Sequence, residues 1–232
     1  QYQWYWTDTV TAVAKQAMSG SWVTSIDISN PAELVAEDTL NLSGYGNIIQ
    51  ATSSALFVAA PDWQTDRTTI TYVDISDPAG AIAVRDDVSV LGMVADRYKM
   101  DVYNDVLRVV SNTGSWQNRQ VAVTTVDLAN PDELDVLAET TLEAAAGETL
   151  FATRFDGPRA YIVSYLVKDP LFILDLSNPA SPTITGELVV PGWSTHIEPR
   201  GDRLIALGVD DTDGRRVCVS LFDVADPAHP AL

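Results

Sequence analysis

The residues of this chain with the chemistry to hold or change a ligand lie in short polar stretches between apolar runs. "SGYGN" (43–47), "PDWQTDR" (61–67), "NTGSWQNRQ" (112–120) and "VPGWSTH" (190–196) set Tyr45, Trp63, Trp116 and Trp193 among amides, acids and the cations Arg67 and Arg119. Rings with a polar edge beside such groups can stack on, and hydrogen-bond, a sugar or a peptide. Against this stands packing, the preferred reading of any one tryptophan taken singly, with its ring wedged between structural units. Tyr45, Trp63, Trp116, Arg119 and Trp193 form the candidate ligand-binding set and are expected to share one rim.

Metal and catalytic signals are sparse. Asp211 and Asp213 precede Gly214 as oxygen ligands do in calcium loops, which makes calcium the one candidate cofactor. The third acid and the later Glu of such a loop are missing, and Asp-Gly is also the preferred chemistry of a tight hairpin, the reading that takes precedence. His196 and His229 are the two histidines, too few for a multi-histidine metal site within this chain. Cys218 sits in the alternating run "RVCVSLFDV", where it reads as a small core residue; one cysteine makes no internal disulfide. Gly-x-Ser-x-Gly, His-Glu-x-x-His, Cys-x-x-Cys, a phosphate-cradling glycine loop and the boxes of sialidase propellers do not occur. No catalytic residue is assigned, although a pair of carboxylates meeting only in space would leave no such trace.

The elements that must position these residues follow from a repeat. The pattern apolar-Asp-aliphatic-Ser/Ala-Asn/Asp-Pro occurs five times, at Asp27, Asp74, Asp127, Asp175 and Asp223, with spacings of 47, 53, 48 and 48. A period near 48 residues is the size of a four-stranded propeller blade. Between motifs lie four short β-type runs, in the third unit "YKMDVY", "VLRVVS", "QVAVTTVDLA" and "LDVLAETTL", and no long helix-period stretch. Called A to D outward from a central channel, the runs put the motif at the end of strand C. Its Asp should be partly shielded and accept from backbone N–H groups of a proline turn, a structural lock to the D strand. The A strands would bring Gln50, Lys99, Asp101, Arg154, His196 and Glu198 to the channel, a polar set suited to water or an ion.

The expected fold is therefore all-β, a β-propeller of about five consecutive four-stranded blades forming one domain over residues 1–232. "QYQWYWTD" reads as strand B of a first blade without strand A, and the fifth unit stops before strand D, so the first and last blades are incomplete and the segment reads as an excerpt of a larger propeller. The 32 acidic against 14 basic residues give a formal charge of -18, which repels phosphate backbones and excludes nucleic acid as a partner. No apolar run approaches the roughly 18 residues of a membrane span, so no membrane insertion by this segment is expected.

From about Leu40 onward the chain resembles a known family. "YKMDVYNDVLRVVSNTG", "DPLFILDLSNPASP" and "GELVVPGWST" are similar to secreted bacterial and archaeal proteins with a C-terminal β-propeller distantly related to WD repeats. The resemblance implies an exported protein, extracellular or held at the cell envelope, and supplies neither an activity nor catalytic residues. Three functions follow in order: a non-enzymatic propeller binding a protein or glycan at the cell envelope; a hydrolase or lyase acting on an extracellular polymer; and a purely architectural module of a larger envelope protein. An exposed aromatic cleft without converging acids favours the first. Two carboxylates roughly 5 to 9 Å apart across a cleft favour the second.

Overall fold

A computed structural model describes residues 2–6, 12–16, 20–115, 118–165, 169–190, 192–210, 212 and 214–232. The chain begins with a hairpin, β1 (Tyr2–Trp6) and β2 (Ala12–Gln16), and continues into a first repeat sheet of β3 (Ser21–Asp27) and β4 (Val35–Leu42). Three four-stranded antiparallel sheets follow. The second sheet is β5 (Ile48–Ala51), β6 (Ala55–Asp62), β7 (Arg67–Asp74) and β8 (Ala83–Leu91), and the third is β9 (Met100–Tyr103), β10 (Val106–Thr113), β11 (Gln120–Asp127) and β12 (Asp135–Thr141). β13 (Thr149–Asp156), β14 (Arg159–Tyr165), β15 (Asp169–Asp175) and β16 (Thr183–Val190) make the fourth, and β17 (Trp193–Arg200), β18 (Arg203–Asp210) and β19 (Arg216–Asp223) the fifth. In each four-stranded sheet the strands pair in sequence order, as blades require. The opening stretch departs from expectation: β1 pairs with β2, not with the motif strand β3. Pairing with the next strand along the chain closes the shorter loop and carries the smaller entropic cost.

Both faces of a middle strand are covered, which explains why β11 reads as a nearly unbroken apolar and threonine run: Val121 to Val126 are all buried. Each apolar layer spans two successive sheets. Val58 and Val73 meet Leu42 of the first sheet, while Phe57 and Ile70 pack with Met100, Leu107 and Val109 of the third. Val110 and Val123 pack with Ile162 and Phe172 of the fourth; Tyr161 and Ile173 pack with Leu204 and Phe222 of the fifth. The sheets are thus stacked face to face, with first strands side by side: Arg154 of β13 is 3.0 Å from His196 of β17. On the far face of the fifth sheet Ile205, Leu207, Val217, Val219 and Leu221 are exposed.

The repeated hexapeptide forms a double turn. In all five copies the Asp accepts the backbone N–H two residues on, at 2.8 to 3.0 Å. The Asn or Asp before the proline does the same at 2.8 to 3.2 Å. That residue's carbonyl also closes a β-turn through the N–H three residues on, with proline supplying the fixed φ at the second position. Four of the motif Asp residues are half-buried as expected, whereas Asp27 is exposed, because β4 is the one strand described beside β3.

Candidate functional site

On one side of the second and third sheets the second-to-third-strand loops and the inter-sheet connections surround a cavity of about 1070 Å³. Tyr45, Trp63 and Arg119 line it, with Met93, Asn112 and Asp66. Three of the five sequence candidates therefore meet at one place. Trp63 is 82% and Tyr45 75% exposed, so the packing reading does not hold for Trp63. The loop explains why. Asp62 accepts from Gln64 N and Thr65 Oγ1, both at 2.9 Å, and Asp66, at φ 54°, accepts from Thr113 Oγ1 and Gly114 N, both at 2.7 Å. With both ends pinned, the loop carries the Trp63 ring outward. The Gln64 N–H and then the Thr65 hydroxyl hold the Asp62 carboxyl below its ordinary range.

The Arg119 guanidinium donates to Thr149 Oγ1, and its carbonyl accepts from Gly147 N at 2.7 Å, which ties the rim to the entry of the fourth sheet. Arg67 turns away from the ligand role: it forms a 2.8 Å ion pair with Glu139 of the third sheet and bonds Ser89. Trp116, Asp211 and Asp213 lie outside the described residues. Trp193 belongs by its backbone to the fifth sheet, opposite Val209, and its side chain lies outside the described part. Among the described residues no group of three His, Cys, Asp or Glu is placed to hold a metal, and no helix is long and apolar enough to cross a membrane.

The first-strand polar set is more tightly paired than an open channel would require. Lys99 is 2% exposed; its Nζ donates 2.9 Å to Phe151 O and lies 3.4 Å from Asp96, and burial pushes its pKa down against the pull of Asp96. Asp101 is bound by Arg108, which also donates 2.6 Å to Gly157 O. Gln50 is half-buried. Arg154 lies 3.8 Å from the centroid of the Tyr98 ring and 3.8 Å from Glu198. His229 bonds Asp226 at 2.8 Å in the last turn. Cys218 is half-buried rather than core, because β19 is the edge strand of its sheet among the described residues.

Sequence reasoning passed over Arg97 and Tyr98. They sit in a short 3-10 turn (Arg97–Lys99) capped by Asp96, whose side chain accepts from Tyr98 N at 2.8 Å. The "RYK" cluster in so acidic a chain was the available signal. Arg97 lines a second cavity of about 510 Å³ that shares Asn47, Ile48 and Ala95 with the first.

The profile of the Beta propeller domain family matches residues 5–232. This chain belongs to that family. An uncharacterized protein of Methanocaldococcus jannaschii is 38% identical over 142 residues, 61% of this chain and 22% of the relative. One of Archaeoglobus fulgidus is 37% identical over 142 residues, 61% of this chain and 21% of the relative. The aligned part of the chain thus spans about a fifth of the length of these curated relatives. Among solved structures, a putative 6-phosphogluconolactonase from Bacteroides fragilis aligns with a TM-score of 0.52 at 14% identity, covering 96% of this chain and 72% of that one. A Synechocystis apocarotenoid oxygenase aligns with a TM-score of 0.53 at 13% identity, covering 95% and 56%. At such identities the likeness concerns the fold alone.

Proposed function

We propose that this propeller is a non-enzymatic binding module of an exported protein and holds a glycan or protein of the cell envelope in the cavity between its second and third sheets. The observation that carries the reading is the exposure of Tyr45 and Trp63 over a cavity of about 1070 Å³. Large rings standing in water at the edge of a concavity have surface to bury on a ligand. Asp66 is the carboxylate among the described residues lining that cavity, and both its bonds from Thr113 and Gly114 go to a single oxygen that fixes the loop. A glycosidase needs two acids free to act across the substrate. The exported setting rests on the family resemblance and is consistent with the formal charge of -18, which favours solubility.

The test is binding of envelope polysaccharide and envelope protein fractions to the purified chain, read by tryptophan fluorescence and calorimetry. Tyr45→Ala with Trp63→Ala should weaken binding by about tenfold or more, the scale of a lost interface anchor. Undiminished binding by the double variant would place the site elsewhere, and turnover of the polymer that Asp66→Asn abolishes would make the protein an enzyme.

A further inference from the structure

Most arginines of this acidic chain that have a described partner are neutralised at once: Arg67 by Glu139, Arg85 by Asp74 and Asp132, Arg108 by Asp101, Arg154 by Glu198 and Arg203 by Asp223. Arg97 is different. Its guanidinium is exposed and donates 3.1 Å to the Tyr98 hydroxyl, with no described carboxylate in ion-pair contact. With 32 acids available against 14 bases, a cation left without a carboxylate needs a reason.

The surroundings supply one. Arg97 and Arg154 both lie against the Tyr98 ring, at 4.9 and 3.8 Å from its centroid, and Lys99 follows in sequence. Two carboxylates answer these three cations: Asp96, already occupied by Tyr98 N and Lys99, and Glu198, which Arg200 also engages at 3.2 Å. Gathering like charges around one ring is unfavourable in isolation and becomes favourable when an anion joins them. The cavity beside Arg97, which Asp96 also lines, shares Asn47, Ile48 and Ala95 with the one lined by Tyr45 and Trp63, so a cavity edged by exposed aromatic rings adjoins one that holds the Arg97 guanidinium.

We propose that these adjoining cavities take an acidic glycan, a sugar ring stacking on Trp63 or Tyr45 while a carboxylate of the glycan is bound by Arg97. This rests on the binding function proposed above and names its ligand class. Flat, exposed rings suit the C–H face of a pyranose, and the planar guanidinium suits a carboxylate held by two parallel bonds. The formal charge of -18 does not prevent this, because its long-range repulsion is screened beyond about 8 Å at physiological ionic strength while the contact with Arg97 is direct.

The probes are oligogalacturonate and alginate oligomers, each beside its carboxyl-reduced neutral form, titrated into the wild-type chain and into Arg97→Gln, Arg97→Lys and Trp63→Ala by calorimetry. At least one acidic oligomer should bind about tenfold or more tighter than its reduced form. Arg97→Gln should erase that preference and leave binding of the neutral form unchanged, Arg97→Lys should restore part of it, and Trp63→Ala should weaken both forms. Circular dichroism melts of the variants control for folding. Equal binding of acidic and reduced oligomers, or a preference that survives Arg97→Gln, overturns the inference while leaving a glycan-binding module. Binding of poly-glutamate with no binding of any oligosaccharide overturns the glycan assignment, and Trp63→Ala without effect on any bound probe removes the underlying site.

Discussion

Arg85 of β8 grips Asp132 in the turn of the following sheet through two hydrogen bonds of 2.7 Å, from Nε and Nη2, while its Nη1 donates 2.8 Å to Asp74 of its own sheet. One guanidinium thereby links two repeat motifs. Its position is set by an irregularity: between Tyr72 and Val73 the β7–β8 register skips Arg85. The same skip occurs at Glu37, Leu137 and Thr185 in the other sheets that have a described fourth strand, so a bulge at one fixed place is part of the repeat.

Arg85→Met and Asp132→Asn should each lower the urea midpoint, and the double variant should lose less than the sum of the two, because each single change already breaks the shared contact. Arg85→Met keeps most of the aliphatic stem and removes the fork that joins Asp74 to Asp132. The measurement is a double-mutant cycle of Arg85→Met with Asp132→Asn. Additive shifts in the midpoint would mean that the clamp contributes nothing to the stacking of these sheets.

Asp175→Ala should destabilise the chain by about 0.5 to 1.5 kcal/mol, the net worth of a turn hydrogen bond whose exposed donor can turn to water instead. Asp175→Asn should cost less, since its side-chain oxygen can still accept from Ser177 N, which the aspartate holds at 2.8 Å. Urea denaturation of both variants checks the order. Equal losses would show that charge matters and the acceptor does not.

The repeat and the strand order were legible because both are local: the hexapeptide marks the end of each third strand, and "QVAVTTVDLA" contains all of β11 (Gln120–Asp127). The double turn was half legible. The Asp bond follows from a short acceptor ahead of a proline turn, but the second acceptor, at Asn178 and its counterparts, carries no sequence signal beyond that of an ordinary turn residue. Exposure was not legible at all. Trp63 reads the same whether its ring is wedged between sheets or stands in water, and the difference lies in where Asp66 finds Thr113, which is 47 residues away. The Arg97–Tyr98–Arg154 stack likewise joins two repeats, and no single run of sequence contains it.

Gly92→Ala should destabilise the fold by about 1 to 2 kcal/mol or more and also weaken any ligand bound at the cavity. Gly92 has φ +79°, and a Cβ there would stand 2.4 Å from Asn112 O, far inside contact distance. The next residue, Met93, lines the cavity and exchanges backbone bonds with Asn112. A strained Gly92 therefore moves the floor. Trp63→Ala, by contrast, should leave the melting midpoint within about 0.5 kcal/mol of wild type, because its ring packs on little. Thermal melts of the two variants together with ligand titration separate the roles, and a large stability loss in Trp63→Ala would return that residue to the core.

The motif aspartates predict an acid limb of instability. The carboxyl of Asp175 is held below its ordinary range first by the Ser177 N–H, and those of Asp27 and Asp223 by the N–H groups of Ser29 and Ala225. For Asp74 the Ser76 side chain leads. A carboxyl whose folded pKa is depressed adds stability that is complete above its unfolded pKa, about 4, and is lost as pH falls through the lower folded value. Glu148 acts in the opposite sense, since burial raises its pKa, and it gains from protonation at mild acidity. The stability difference between wild type and Asp175→Asn isolates one motif from this background. It should be constant from pH 7 to about 5 and shrink towards zero below about 4. A difference that persists undiminished down to pH 2, measured by urea midpoints across that range, would mean that the Asp175 charge is not what the turn holds.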